Sequence, residues 1–181
     1  MIRTRNDFPQ LLVSTGRTKY SVEIGVAEGY FSWHLLDHWP GTHYLVDPWK
    51  RLSVPGYSVH GDEDQEARYK RILKKANTYK GRAIVERMTS EKAAPYFVDN
   101  FFDFVYIDAN HTFEEVVKDI NLWWPKVRAG GILAGHDYLQ GLKDGVIYGV
   151  KAAVDMFAMP DRLKVGVTQE EDYKSWWIEK P

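Results

Sequence analysis

A chain of 181 residues suits one domain with a core of ordinary size. Apolar residues make up 44% and charged residues 27%, and the formal net charge is −1. That balance excludes a disordered chain and offers no basic footprint for a nucleic-acid backbone. No apolar run approaches the roughly 20 residues of a membrane helix. The start, MIRTRNDFPQ, has no apolar stretch behind its basic residues and does not read as a signal peptide. The absence of cysteine excludes disulfides and thiolate chemistry, and the expected setting is the reducing cytoplasm.

In chain order, YSVEIG (20–25) reads as a strand, followed by a helical stretch to about Asp37. THYLVD (42–47) reads as the second strand. Residues 48–61, rich in Pro, Gly and aromatics, read as a loop, with Trp49, Tyr57 and His60 as a candidate substrate wall or lid. A helix is predicted from about Asp62 to Tyr79; its basic stretch RYKRILKK (68–75) reads as a solvated face. RAIVERM (82–88) reads as the third strand, with Ser90 capping a short helix after it. FDFVYID (102–108) carries apolar residues on both faces, as a central parallel strand does. Thr112 and Glu115 have capping-box spacing, which predicts a helix from Thr112 to Trp123 or Trp124, closed by Pro125. GGILAGHD (130–137) reads as the fifth strand and YGVKAAVDMFA (148–158) as a helix. RLKVGVT (162–168) and KSWWIEK (174–180) read as an antiparallel pair.

This alternation predicts a doubly wound α/β fold in a single domain, residues 1–181. Ligands of open parallel sheets sit beyond the carboxyl ends of the strands. Glu23 with Gly25, Asp47, Ser90, Asp108, and His136 with Asp137 all fall at predicted strand ends, so they share one edge.

The loop EIGVAEG (23–29) has the spacing E-x-G-x-x-x-G, not the G-x-G-x-x-G of dinucleotide turns. It reads either as a tight strand–helix turn or as a ligand loop, with Gly25 and Gly29 allowing close backbone approach. Asp47 is either a turn residue before Pro48 or an acceptor for both hydroxyls of a ribose. Asp108 and His111 either build a turn or form an active site. For His136 a plain structural role stands beside a ligand role. His34, His38, His43 and His60 read as surface or packing residues, as do the tryptophan pairs Trp123/Trp124 and Trp176/Trp177.

VEIGVAEGYFSWHLL, YLVDPW, FDFVYIDANHTFEEVVKDINLWWPKVRAGGILAGHDY and SWWIEK together resemble the class I S-adenosylmethionine-dependent methyltransferases. Within that class the similarity is to sugar, macrolide-sugar and catechol-like O-methyltransferases, over about residues 20–180. The most specific stretch is 102–138, which combines I-D-x-x-H, P-x-V-x-x-G-G and H-D-Y in order. The resemblance implies a Rossmann-like, mostly parallel seven-stranded sheet of order 3-2-1-4-5-7-6 with strand 7 antiparallel. It implies S-adenosylmethionine as cofactor. Gly25 and Gly29 would pass the methionine part, Glu23 would orient that loop or hold the amino group through water, Asp47 would take the ribose, and Met88, Thr89 and Ser90 would lie near the adenine. Asp108 would border the cofactor too. It also implies a divalent metal held by Asp108 and Asp137, with His111 as the base that takes the acceptor's proton. His136 stands where the family often has an acid or amide, so the metal set is read as Asp108, Asp137 and His136, and the ion as Mg²⁺ or Mn²⁺.

The function expected is O-methylation of a hydroxyl on a sugar, glycan or other small molecule, with no nucleic-acid or membrane partner. Little chain precedes the first strand, so the acceptor site is expected to be open, or closed by a second copy in a homo-oligomer. Two other readings remain at this point: a nicotinamide-dependent oxidoreductase, and a non-catalytic domain of the same fold.

Overall fold

The computed structural model describes residues 2–50 and 65–181. A short 3-10 turn, Arg5–Asp7, leads into α1 (Phe8–Ser14). Then come β1 (Tyr20–Ile24), α2 (Tyr30–His38), β2 (Thr42–Val46), α3 (Gln65–Ala76), β3 (Ala83–Glu86), α4 (Ser90–Ala93), β4 (Phe102–Ile107) and α5 (Phe113–Trp123). They are followed by β5 (Val127–Gly135), a hairpin of β6 (Gly141–Lys143) and β7 (Val146–Tyr148), α6 (Val150–Ala158), β8 (Val165–Val167) and β9 (Trp176–Glu179).

The main sheet has seven strands in the order β3-β2-β1-β4-β5-β9-β8. Pairing is parallel from β3 through β5, and β9 runs antiparallel to both β5 and β8. This is the implied order once the small hairpin is left out of the count. Every residue of β4 is buried, which explains its apolar run on both faces. On one face Phe8, Leu12, Phe31, Leu35 and Trp39 pack against Phe104 and Tyr106. On the other, Val116, Ile120 and Trp123 of α5 and Val150 and Val154 of α6 cover Val105, Ile107 and Leu133. None of the described helices is long and apolar enough to cross a membrane.

Several boundaries differ from expectation. The fifth strand starts earlier, at Val127, and α6 starts later, at Val150, because Val146–Tyr148 pairs with Gly141–Lys143. That hairpin turns on Asp144 and Gly145, both at positive φ (50° and 78°), the conformation of a tight two-residue turn. Thr112 is the N-cap of α5, but its side chain makes no cap bond, so the capping box is not formed. Instead Asn110 Oδ1 accepts the Thr112 N–H at 3.0 Å. Thr89, not Ser90, holds the N-cap position of α4. The beginning of the helix expected from Asp62 lies outside the described residues.

Candidate active site

The carboxyl ends of β1, β2 and β4, with α4 and α5, enclose a cleft of about 670 Å³, within the range of small-molecule sites. Glu23, Gly25, Asp47, Ser90, Asp108 and His111 line it together. The sheet topology does this: residues far apart in the chain end neighbouring strands.

Gly25 takes φ 86°, and a Cβ there would collide with the Asp108 carbonyl oxygen. The turn after β1 therefore lies directly on the turn after β4, which only glycine permits. Gly29, at φ 73°, is the N-cap of α2 and leaves room for the Trp33 ring rather than lining the cleft.

Asp47 ties two backbone turns together. Its Oδ2 accepts the Ala27 N–H at 3.0 Å and its Oδ1 the Trp49 N–H at 2.6 Å. Ala27 and Trp49 both hold positive φ, 49° and 38°, and the Trp49 indole donates back to the Ala27 carbonyl at 3.0 Å. A carboxylate has about four acceptor positions, so each Asp47 oxygen keeps capacity for a ligand hydroxyl. Trp49 itself is buried against Tyr69 and is a packing residue, not a substrate wall. Tyr57 and His60 lie outside the described residues.

Glu23 is buried and accepts a hydrogen bond from Ser32. Ser32 also meets His43 Nε2 at 3.0 Å, and His43 Nδ1 meets Ser21 at 2.8 Å. Burial pushes the Glu23 carboxyl up to about 8 and the buried His43 imidazole down to about 3. His43 is thus a packing residue, as the sequence suggested, in a polar chain that fixes Glu23.

On the α4–α5 wall of the cleft Ser90 donates to Asp119, and the Trp123 indole donates to Ser90 at 2.8 Å. Asp119 is 5% exposed, and burial raises its carboxyl to about 7. Sequence reasoning missed it, although a signal existed. Asp119 shares the stripe of Val116, Ile120 and Trp123, so a charge stood on the apolar face of a helix.

Asp108, His111 and Asp137 bring one ligand atom each to within 4.8 Å of one another. His111 Nε2 is 3.0 Å from Asp137 Oδ2 and 3.7 Å from Asp108 Oδ1, facing both but aligned for a full hydrogen bond with neither. His136 Nδ1 lies 3.1 Å from Asp137 Oδ1 and 3.9 Å from Asp108 Oδ1. The geometric triad therefore takes His111, with His136 flanking it on the far side of Asp137. Burial lowers the His111 imidazolium, but the two carboxylates facing its ring outweigh it and raise it to about 9. Burial likewise opposes the charge on Asp137, and the two imidazoles overcome it and hold that carboxyl well below its usual range. Asp137 sits at φ 53°, an uncommon conformation for a non-glycine residue that aims its carboxylate between the rings.

Three further cleft residues escaped the sequence reading. Tyr148, on the hairpin, stacks on His111 with ring centres 5.1 Å apart. Asn110 is buried at the cleft wall; its Oδ1 is engaged by Thr112, and its Nδ2 has no partner among the described residues. Arg5 reaches in from the N-terminal arm, so that arm and the hairpin both wall a site expected to be open. Tyr138, next to Asp137, donates its hydroxyl to Asp155.

A protein-family model described as a methyltransferase domain matches residues 22–138. The fold is similar to that of an O-methyltransferase from Bacillus cereus in complex with SAH (TM-score 0.65, 16% identity, 97% of this chain and 80% of that one). It is similar to a methyltransferase from Geobacter sulfurreducens (TM-score 0.63, 13% identity, 97% and 78% of the two chains). A SAM-dependent methyltransferase from Leishmania major is a third such structure (TM-score 0.67, 12% identity, 97% and 70%). A search of curated proteins finds no match. Such low identities establish a shared fold, and the family match carries the assignment. It sets aside the nicotinamide oxidoreductase reading. Because that match spans more than half of the chain, the protein belongs to the methyltransferase-domain family, within the class I S-adenosylmethionine-dependent methyltransferases that its sequence resembles.

Proposed function

We propose that this enzyme is an S-adenosylmethionine-dependent O-methyltransferase that acts with a divalent cation on a hydroxyl of a sugar, a glycan end or another small molecule. The observation that carries the reading is the convergence of Asp108, His111 and Asp137 beside the glycine turn. Two carboxylates suit Mg²⁺ or Mn²⁺, and a neighbouring imidazole such as His136 favours Mn²⁺.

The cofactor fits the other half of the cleft. Gly25 leaves a backbone wall with no side chain, suited to the methionine part, with Glu23 behind it and Gly29 shaping the start of α2. Asp47 is preorganised for the ribose, and Ser90 with Asp119 borders the adenine. In this reading Asp108 serves both halves.

Transfer needs the acceptor oxygen in line behind the methyl group and its proton removed. The oxygen–carbon bond forms as the carbon–sulfur bond breaks; the bonding pair stays on sulfur, which leaves as a neutral thioether. His111 takes the hydroxyl proton at Nε2. Asp108 and Asp137 would hold a divalent cation, whose positive charge would lower the proton affinity of the acceptor hydroxyl. The two carboxylates raise the His111 imidazolium to about 9, so a cation at those carboxylates would favour its neutral, proton-accepting form. Tyr148 stacks on the His111 ring, and the exposed Tyr30 at the cleft offers an aromatic face suited to a sugar.

A second reading has a specific basis. His111 Nε2 is itself one of the three converging atoms, so it would bind the cation rather than take the proton. The test is methyl transfer from labelled S-adenosylmethionine to deoxysugars and glycans with Mg²⁺, Mn²⁺ or a chelator. Metal-dependent product is expected. An inactive His111→Asn variant that keeps its Mn²⁺ affinity assigns the base; one that loses Mn²⁺ assigns a ligand. No product with any hydroxyl acceptor contradicts O-methylation.

A further inference from the structure

The cleft is acidic. Glu23, Asp47, Asp108 and Asp119 all face or border it. Of the lysines and arginines that line it among the described residues, Arg68 pairs with Glu28, and Lys118 with Glu91 and Glu115. The remaining one is Arg5. Its Nη1 stands 3.6 Å from Asp108 Oδ2, too far for a short hydrogen bond, beside the Tyr106 hydroxyl.

The backbone under Arg5 is firmly held. Asp7 accepts the Arg3 and Thr4 N–H groups at 2.7 and 3.0 Å, and Arg5's own N–H donates to Glu170 at 2.9 Å. The Arg3 carbonyl accepts the Gln169 N–H at 2.7 Å, and Ile2 is buried. The arm is thus a fixed pedestal that presents a guanidinium to the ends of β1 and β4.

We propose that Arg5 receives the carboxylate of the methionine end of S-adenosylmethionine. This rests on the cofactor reading above. The cofactor carries two positive centres, sulfonium and ammonium, and one carboxylate. An acidic cleft attracts the first two and repels the third, unless a cation meets it. Arg5 stands beside Asp108, whose backbone carbonyl lies against the glycine turn, and the Asp108 carboxylate would repel a ligand carboxylate there unless a cation meets it. A guanidinium fork matches a carboxylate with two parallel hydrogen bonds, and Arg5 Nη1 meets Asp108 only at 3.6 Å. Asp108 turns Oδ2 toward Arg5 and Oδ1 toward the histidines, so one carboxylate spans cofactor and acceptor ends.

Calorimetric titration of wild type, Arg5→Gln and Arg5→Lys tests this, with S-adenosylhomocysteine and with 5′-methylthioadenosine, which lacks the amino-acid end. Arg5→Gln should bind S-adenosylhomocysteine roughly ten- to hundredfold more weakly, the range for a hydrogen bond to a charged group. Its affinity for 5′-methylthioadenosine should be that of wild type, which also reports an intact cleft, and Arg5→Lys should recover part of the loss. Unchanged S-adenosylhomocysteine affinity in Arg5→Gln overturns the proposal, as does an equal loss of both ligands. If wild type binds neither ligand, the cofactor reading fails and the proposal falls with it.

Discussion

The two ends of the cleft use the same residue types in opposite electrostatic states. At the cofactor end, Glu23 and Asp119 are buried against hydroxyls, and desolvation raises both carboxyls, to about 8 and about 7. At the transfer end, Asp137 is also buried, but imidazoles on both sides hold it charged. The difference is the partner, not the depth. A hydroxyl satisfies a lone pair without cancelling charge, whereas an imidazolium does both. One end is therefore a rigid receptor for donors such as hydroxyl and amino groups. The other is a charged cluster which, under the proposed function, would take a cation at its carboxylates.

The sharpest way to separate the two ends is His111→Asn. It should lower kcat by roughly 10²–10⁴-fold, the range for loss of a general base, while S-adenosylhomocysteine affinity measured by calorimetry stays that of wild type. A parallel loss of affinity would mean that the two ends are not independent.

Gly25→Ala should do the reverse, because it strikes the contact between the turns after β1 and β4. A Cβ meets the Asp108 carbonyl and the φ of 86° is unfavourable for alanine, so cofactor affinity should fall and the melting temperature with it, by a cost of roughly 1–3 kcal/mol. Calorimetry and thermal melts read both effects.

Asp119→Asn gives a smaller, pH-dependent effect. The folded carboxyl titrates at about 7 and the unfolded one at 3.8, so the folded state binds more protons between these values. Wild-type stability contributed by this group is full below pH 4 and is lost as pH rises toward 7. The amide does not titrate, so the variant should equal wild type near pH 4 and exceed it at pH 8 by about 1–3 kcal/mol. Denaturant melts at the two pH values check this; a variant less stable than wild type at pH 8 would show that Asp119 carries its charge without penalty.

The sheet was legible because its strands announce themselves locally. FDFVYI has no polar face, and the glycine and acidic residues sit at the strand ends, where the topology collects them. The edge carrying Glu23, Asp47, Asp108 and Asp137 follows from that alone. The hairpin was missed because its strands are three residues each, with Leu142 and Ile147 exposed, so no burial pattern marks them; only Asp144-Gly145 did. Asp119 was legible in principle as a charge on an apolar stripe. Arg5 was not. Nothing in its local sequence links it to Asp108, and only the docking of the N-terminal arm through Glu170 and Gln169 brings the two together.

The most direct single measurement is calorimetric titration of the wild-type protein with S-adenosylhomocysteine, alone and with Mg²⁺ or Mn²⁺ present. A one-to-one complex of micromolar affinity is predicted, with heat of metal binding that disappears in Asp137→Asn while the nucleoside still binds. No binding of S-adenosylhomocysteine under any of these conditions would contradict the assignment of the cleft to that cofactor.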